Sequence, residues 1–158
     1  MTFKHALASR AAASWFSDEL HGRHPRDPTE HPPATATVSD LSRGRDAPFA
    51  KTAFGLRDWV PELCVGECAL PGATVTTGLA RLTPAKGRSE GARSLVIGVA
   101  NRGGVLSPTW IPTLVEALHA GLDIVSGMHG RLSQHPALKA TAEHLSRRLI
   151  DVLSRPAA

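Results

Sequence analysis

Cysteine, aromatic residues and long apolar runs are all scarce in this 158-residue chain, and each scarcity excludes something. There are two cysteines, Cys64 and Cys68. If the residues between them are extended, the two lie about 13 Å apart on one face of a strand. A disulfide needs Cα atoms within about 7 Å, so an intrachain bridge is excluded, and no second ligand pair stands at zinc-finger spacing. Small thiol side chains in a reducing compartment are the expected reading. Aromatics make up 4% of the chain and tyrosine is absent. Basic residues are scattered, without the stripe interleaved with aromatics that a nucleic-acid surface requires. No apolar run approaches the roughly 18 residues of a membrane span, and no secretory h-region opens the chain, so a cytoplasmic location is expected.

What is present begins with charge. The formal net charge is +4. Within the first fifty residues, six basic side chains (Lys4, Arg10, Arg23, Arg26, Arg43, Arg45) balance six acidic ones (Asp18, Glu19, Asp27, Glu30, Asp40, Asp46). The excess therefore lies from Lys51 onward, where it favours a small anionic metabolite as partner. Residues 1–47 read as a poorly ordered extension. Phe3, Leu7, Ala11 and Trp15 outline a short amphipathic helix, and a polar, proline-rich stretch from Glu19 to Asp46 follows. His21, His24 and His31 with Asp27 lack a scaffold to fix a metal geometry, so no metal site is expected.

From Pro48 strands and helices alternate, the signature of a three-layer α/β domain over residues 48–154. Ala50, Ala53, Phe54 and Leu56 mark a helix that ends before Pro61. Glu62–Leu70 reads as a strand. Thr74–Leu82 fits either a short strand or a loop crossing the sheet, and Thr83–Arg93 a helical turn or exposed loop. The most informative stretch follows. Leu95–Ala100 is a β-branched run typical of a strand buried on both faces. Asn101-Arg102-Gly103-Gly104 breaks it, Ser107-Pro108 starts a helix with Ser107 as hydroxyl cap, and Gly121 stops that helix. Pro112, four residues past Pro108, predicts an irregular first turn or a regular helix starting near Pro112. Leu122–Ser126 is a second buried strand, ending at Gly127-Met128-His129. Ala137–Leu149 is expected to be helical, with Arg147 and Arg148 complementing its negative end, and Ile150–Leu153 to be a last strand.

The candidate site is the turn at Asn101, Arg102, Gly103 and Gly104. It follows the carboxyl end of a buried strand, where ligands bind in open parallel sheets. Glycines let backbone N–H groups approach an anion, and Arg102 adds a charged fork. His129 falls on the same edge if the strands are parallel, as a general base or a ligand donor. Lys51, at a helix start, is placed to face the same cleft. The spacing is not that of a dinucleotide fingerprint, no phosphate-binding P-loop is present, and nothing is placed to activate Ser107 as a nucleophile.

Several segments together resemble the amino-terminal domain of the DgcN-like family, over Phe49 to about Val152. They are Ala50-Lys51-Thr52-Ala53 through Asp58-Trp59, Cys64-Val65-Gly66, Leu70-Pro71-Gly72, Leu95 to Gly104 and Gly121 to His129. The resemblance implies a Rossmann-like parallel sheet followed by a carboxy-terminal P-loop domain. It also implies transfer of an acetyl group from acetyl-CoA to the amine of D-glutamate. Two departures shape the expectations. The family's first strand is replaced by Ser42-Arg43-Gly44-Arg45-Asp46, so that strand is expected to be missing or altered, leaving an unpaired sheet edge that invites another chain. The sequence also stops at Ala158, where the P-loop domain would begin, so a truncated, catalytically incomplete enzyme is what the resemblance leads one to expect. The alternatives are a non-catalytic domain that dimerises or docks on a full-length relative, and an inactive remnant.

Overall fold

The computed structural model describes residues 34–39, 50–69, 75–99 and 103–153. Expectations falling on other residues, among them the amino-terminal helix, the histidine-rich stretch, Asn101 and Arg102, lie outside the described residues. Among the described residues, five strands, β1 (Ala34–Ser39), β2 (Cys64–Ala69), β3 (Ala92–Ile97), β4 (Asp123–Ser126) and β5 (Leu149–Asp151), form one sheet in the order β2-β1-β3-β4-β5. Every pairing is parallel. Four helices connect them: α1 (Lys51–Trp59), α2 (Pro84–Ser89), α3 (Ile111–His119) and α4 (Pro136–His144).

β1 corrects the expectation for the leader and for the sheet edge. Ala34–Ser39 sits in the middle of the sheet, with β2 on one side and β3 on the other. Alternating threonine and a valine give this stretch a β preference that its proline-rich, weakly apolar surroundings conceal. A lost first strand therefore leaves no open edge here; the edges are β2 and β5.

The strands pair in straight rows. Glu67, Thr37, Val96, Val125 and Ile150 form one row; Cys68, Val38, Ile97, Ser126 and Asp151 form the next. Side chains alternate between faces along a strand, so adjacent rows serve opposite layers. Leu95, Ile97 and Ile124 belong to one buried cluster with Leu114, Ala117 and Leu118 of α3 and Leu138 and Ala142 of α4. Val96 and Val125 lie on the other face and are also fully buried, which is why these two strands read as unbroken apolar runs.

Several boundaries differ from the sequence reading, each for a local reason. β3 begins at Ala92 rather than Leu95 and ends at Ile97, because the Gly98 carbonyl accepts a hydrogen bond from Ala53 N (3.0 Å) instead of continuing the ladder. Thr83–Arg93 is resolved into a short helix and the start of β3; Thr83 caps that helix by accepting from Lys86 N. Pro108–Trp110 forms a 3₁₀ turn before α3, the irregular first turn that Pro112 demanded. Ser107 does not cap it with its side chain: the hydroxyl lies against Thr109 Oγ1 at 2.8 Å, and the Ser107 carbonyl accepts from Trp110 N. α4 stops at His144, five residues short of the expected end, and Leu149 belongs to β5. Ser146 adopts φ 53°, and the amide of Arg147 bonds the Ala142 carbonyl at 2.8 Å. A serine does there what glycine usually does at a helix end, so the stop signal was absent from the letters.

Candidate functional site

In an open parallel sheet, ligands bind beyond the carboxyl ends of the strands where the order reverses direction. Here β2 lies to one side of β1, whereas β3, β4 and β5 follow on the other. The switch point is therefore the gap between β1 and β3. The bond from Ala53 N to Gly98 O sets the first turn of α1 against the end of β3, so Lys51 starts its helix at this gap and is exposed.

Gly103 and Gly104 follow at the next loop, with φ of 86° and 62°. Both conformations belong to the left-handed region that glycine enters without penalty. Gly104 also needs to be small. A Cβ there would lie 2.9 Å from His129 Cδ2 and 3.3 Å from the His129 amide nitrogen. The Gly104 carbonyl in turn accepts from Gly130 N at 2.9 Å. The loops after β3 and β4 are thus clasped together, and His129 is held against the glycine turn with its side chain exposed. The structure brings Gly103, Gly104 and His129 to one edge, as the parallel reading required. Lys51 stands on the same edge beside β3, and no contact joins it to His129 among the described residues.

The rim continues across β4 and β5. Ser126 Oγ accepts from Met128 N (3.1 Å), and the Ser126 carbonyl accepts from Val152 N (2.9 Å). Asp151 Oδ1 accepts from Leu132 N at 3.0 Å, which fixes the loop leading to α4. Among the described residues no cluster of histidine, cysteine and carboxylate side chains is arranged to hold a metal.

The sequence reading missed Glu67. This glutamate is fully buried in the edge strand β2. It accepts from Thr76 Oγ1 (2.5 Å), Thr77 N (2.7 Å) and Thr77 Oγ1 (2.5 Å), with Arg81 Nε at 3.4 Å. Burial by itself would push the carboxyl up. The bonds from Thr76, Thr77 and Arg81 outweigh it and hold the group below the usual carboxylate range. Backbone bonds from Glu67 N to Ala80 O and from Leu82 N to Glu67 O dock a further extended stretch on β2. Gly66 makes room, since a Cβ there would meet Ala80 O at 2.6 Å. Every oxygen of Glu67 is engaged by its own fold, so it locks the sheet edge. A glutamate within a strand candidate was the available signal.

The cysteines are both free. Burial, reinforced by Glu116, pushes the Cys68 thiol up to about 11. Burial and then Glu62 raise that of Cys64 as well. Both are protonated at neutral pH and unsuited to nucleophilic work.

With this geometry in place, the family model for a Rossmann-like domain of unknown function, DUF1611_N, matches residues 65–155. The chain belongs to this family. As a DUF1611_N domain it is 47% identical over 110 residues to a protein of Tritonibacter scottomollicae named D-glutamate N-acetyltransferase, covering 68% of this chain and 33% of that one. A protein of the same name from a Pseudoalteromonas species is 37% identical over 121 residues, with 77% and 36% covered. The DUF1611_N chain therefore spans about a third of the length of the curated relatives it matches. The crystal structure of a DUF1611 family protein from Anabaena variabilis shares the fold, with a TM-score of 0.58 at 23% identity over 79% of this chain and 38% of that one. The parallel Rossmann-like reading thus holds. Among the described residues, no helix is long and apolar enough to cross a membrane.

Proposed function

We propose that this domain is the Rossmann-like portion of a D-glutamate N-acetyltransferase, and that its carboxyl-edge cleft receives an anionic reactant, D-glutamate or the acyl donor acetyl-CoA. The observation that carries the reading is the 47% identity to a protein of that name across two thirds of this chain. The topology supports the location: the switch point between β1 and β3, the glycine turn and Lys51 share one edge. Arg102, next in sequence to Gly103, adds a second cation.

The chemistry sets what each residue has to do. The amine nitrogen of D-glutamate attacks the thioester carbonyl, coenzyme A thiolate leaves, and the amine proton passes to a base. Two carboxylates on the substrate call for fixed cations, the role given to Lys51 and Arg102. Backbone amides of Gly103 and Gly104 suit an oxyanion or a phosphate, because nothing but glycine allows so close an approach. His129, exposed on the rim, is assigned to accept or relay the proton. The domain is read as catalytically incomplete by itself, since its named relatives devote about two thirds of their length to other chain.

Isothermal titration of the folded domain with D-glutamate, N-acetyl-D-glutamate and acetyl-CoA tests this. Heat is expected with at least one of them, diminished by Arg102→Ala at an unchanged thermal midpoint. Absence of heat with all three would overturn the ligand reading. A large fall in the midpoint would make Arg102 structural.

A further inference from the structure

The loop after β4 is held in an alternating pattern. Met128 N donates to Ser126 Oγ (3.1 Å), Gly130 N to Gly104 O (2.9 Å) and Leu132 N to Asp151 Oδ1 (3.0 Å). Those acceptors belong to β4, to the glycine turn after β3 and to β5. Burial alternates in step: Met128 and Leu132 are buried, whereas Gly127, His129 and Arg131 are exposed. Every second residue is therefore turned inward, and His129 and Arg131 both face out from a loop fixed to three separate elements. The chain bends over 128–130, so their Cα atoms lie closer than the about 7 Å that two extended residues span.

The fold gives Arg131 nothing to bind. Arg57 donates to the Thr77 carbonyl, Arg81 bonds Glu67, Arg88 the Ala92 carbonyl, Arg147 the Gly121 carbonyl and Arg148 Asp123. Arg131 makes no hydrogen bond or ion pair with any described residue; among the described arginines only Arg93, near the start of β3, is likewise unbonded. Asp151, the carboxylate this loop touches, is occupied by the Leu132 amide. Beside His129 the rim has room, since a Cβ at Gly127 would meet nothing within 4 Å. An exposed arginine is ordinarily solvated. This one rises from a fixed backbone, next to an imidazole, at the end of a parallel sheet where ligands bind.

We infer that Arg131 is a specificity-determining residue: its guanidinium binds the side-chain carboxylate of an amino dicarboxylate whose amine lies against His129. The inference rests on the functional reading above and names the group that selects its acceptor substrate. The chemistry fixes which carboxylate. An α-carboxylate shares its carbon with the amine, so it stays beside His129 and the glycine turn that His129 touches. The distal carboxylate reaches further along the same loop, where the next outward side chain is Arg131. A guanidinium fork pairs with both oxygens of a carboxylate, whereas an amide offers it one acceptor. Arg131 thus separates a dicarboxylic amino acid from its neutral analogues. Lys51 and Arg102 are left to the α-carboxylate and the acyl donor.

Isothermal titration of the folded domain with D-glutamate and D-glutamine is the first arm of the test. D-Glutamate is expected to bind about tenfold more tightly, the worth of a charge-assisted bond. Arg131→Gln should remove that preference, weakening D-glutamate about tenfold and leaving D-glutamine and the thermal midpoint as they were. Arg131→Lys, which keeps the charge without the fork, should restore part of it. Equal affinity of the unaltered domain for the two amino acids, or a preference that survives Arg131→Gln, overturns the inference. So does equal weakening of both ligands, the mark of a displaced loop.

The second arm uses glutarate, a diacid without an amine, followed through the His129 ring signals in NMR spectra at fixed pH. Glutarate should move them in the unaltered domain and not in Arg131→Gln, and at lower concentration than inorganic phosphate. No movement, movement independent of Arg131, or a stronger effect of phosphate is the contrary result. Glutarate acting through Arg131 while neither amino acid gives heat keeps the carboxylate site and sinks the acetyltransferase reading of this edge. Heat from D-glutamate that Arg131→Gln does not change sinks the inference and leaves that reading intact.

Discussion

The amino and carboxyl ends of the parallel strands are built from the same alternation of strand and helix and differ in how their described polar groups are bonded. Among the described residues at the amino edge, where the helices end, the arginines and Asp123 are engaged, although the buried Ser94 hydroxyl is not. Arg88 Nη1 donates to Ala92 O, Arg147 Nη1 to Gly121 O and Nε to Leu145 O. Arg148 bonds Asp123 through both its backbone amide (2.9 Å) and Nε (2.8 Å). Cations there also complement the negative ends of the helices. At the carboxyl edge the described loops are clasped to one another and to Ser126 and Asp151. They leave His129, Lys51 and Val105 exposed and two glycines in left-handed conformations. Among the described residues, the amino edge holds the larger set of side-chain hydrogen bonds and the carboxyl edge the exposed cation and imidazole. In a parallel sheet this follows from direction, because each helix returns its carbonyl end to the strand starts and leaves the longer loops at the strand ends.

The comparison can be broken first at the amino edge. Asp123→Ala should cost about 3 kcal/mol in chemical denaturation, because it strands the Arg148 amide and the start of β5. A loss below about 0.5 kcal/mol, the level of ordinary surface changes, would remove the claim that this edge carries the stability.

Next comes Glu67, which lies at neither end of the parallel strands and locks the flank of the edge strand β2. Its folded pKa lies below the unfolded value. Its contribution is therefore fully present above the unfolded carboxyl pKa and is lost as pH falls through the folded one. Glu67→Gln should cost about 2 kcal/mol at neutral pH and flatten the acid limb of the stability profile. An unchanged acid limb would show that other carboxylates set it.

Gly104→Ala should cost about 2 kcal/mol, combining the left-handed backbone with the collision against His129. Pairing it with His129→Ala should recover only the collision part. Full recovery would mean that the backbone is not strained.

Ser146→Gly should stabilise the domain by about 1 kcal/mol, read as a higher thermal midpoint, since glycine suits that helix end. The smallest stability effect belongs to the open edge: His129→Ala alone should stay within about 0.5 kcal/mol while diminishing any ligand heat. A large loss there would make His129 a structural residue.

Much of this architecture was legible from the letters, and the parts that were not have identifiable causes. β3, α3 and β4 declared themselves through a β-branched run, a proline start, helical spacing and Gly121, all of which act within a few residues. β1 stayed hidden because alternating alanine and threonine carries little apolar signal, and only neighbours on both sides make that stretch a central strand. The end of α4 stayed hidden because a serine took the place of glycine. Of the site, the glycine turn and His129 could be placed on one edge from the strand order alone. That Gly104 is small because a histidine ring lies on it is a fact of two loops twenty-five residues apart, beyond any local pattern. The same holds for Glu67, whose partners arrive from nine to fourteen residues away.

The sequence by itself determined the alternation of most strands and helices, the absence of a bridge between the two cysteines and the glycine turn after β3. These depend on backbone preferences and spacing, which act locally. Only the tertiary structure decided which strand lies in the middle, which carboxylate is locked away and which apolar side chains remain uncovered. Those are outcomes of packing between segments distant in the chain, where the partner of each residue is set by the sheet order and not by its neighbours in sequence.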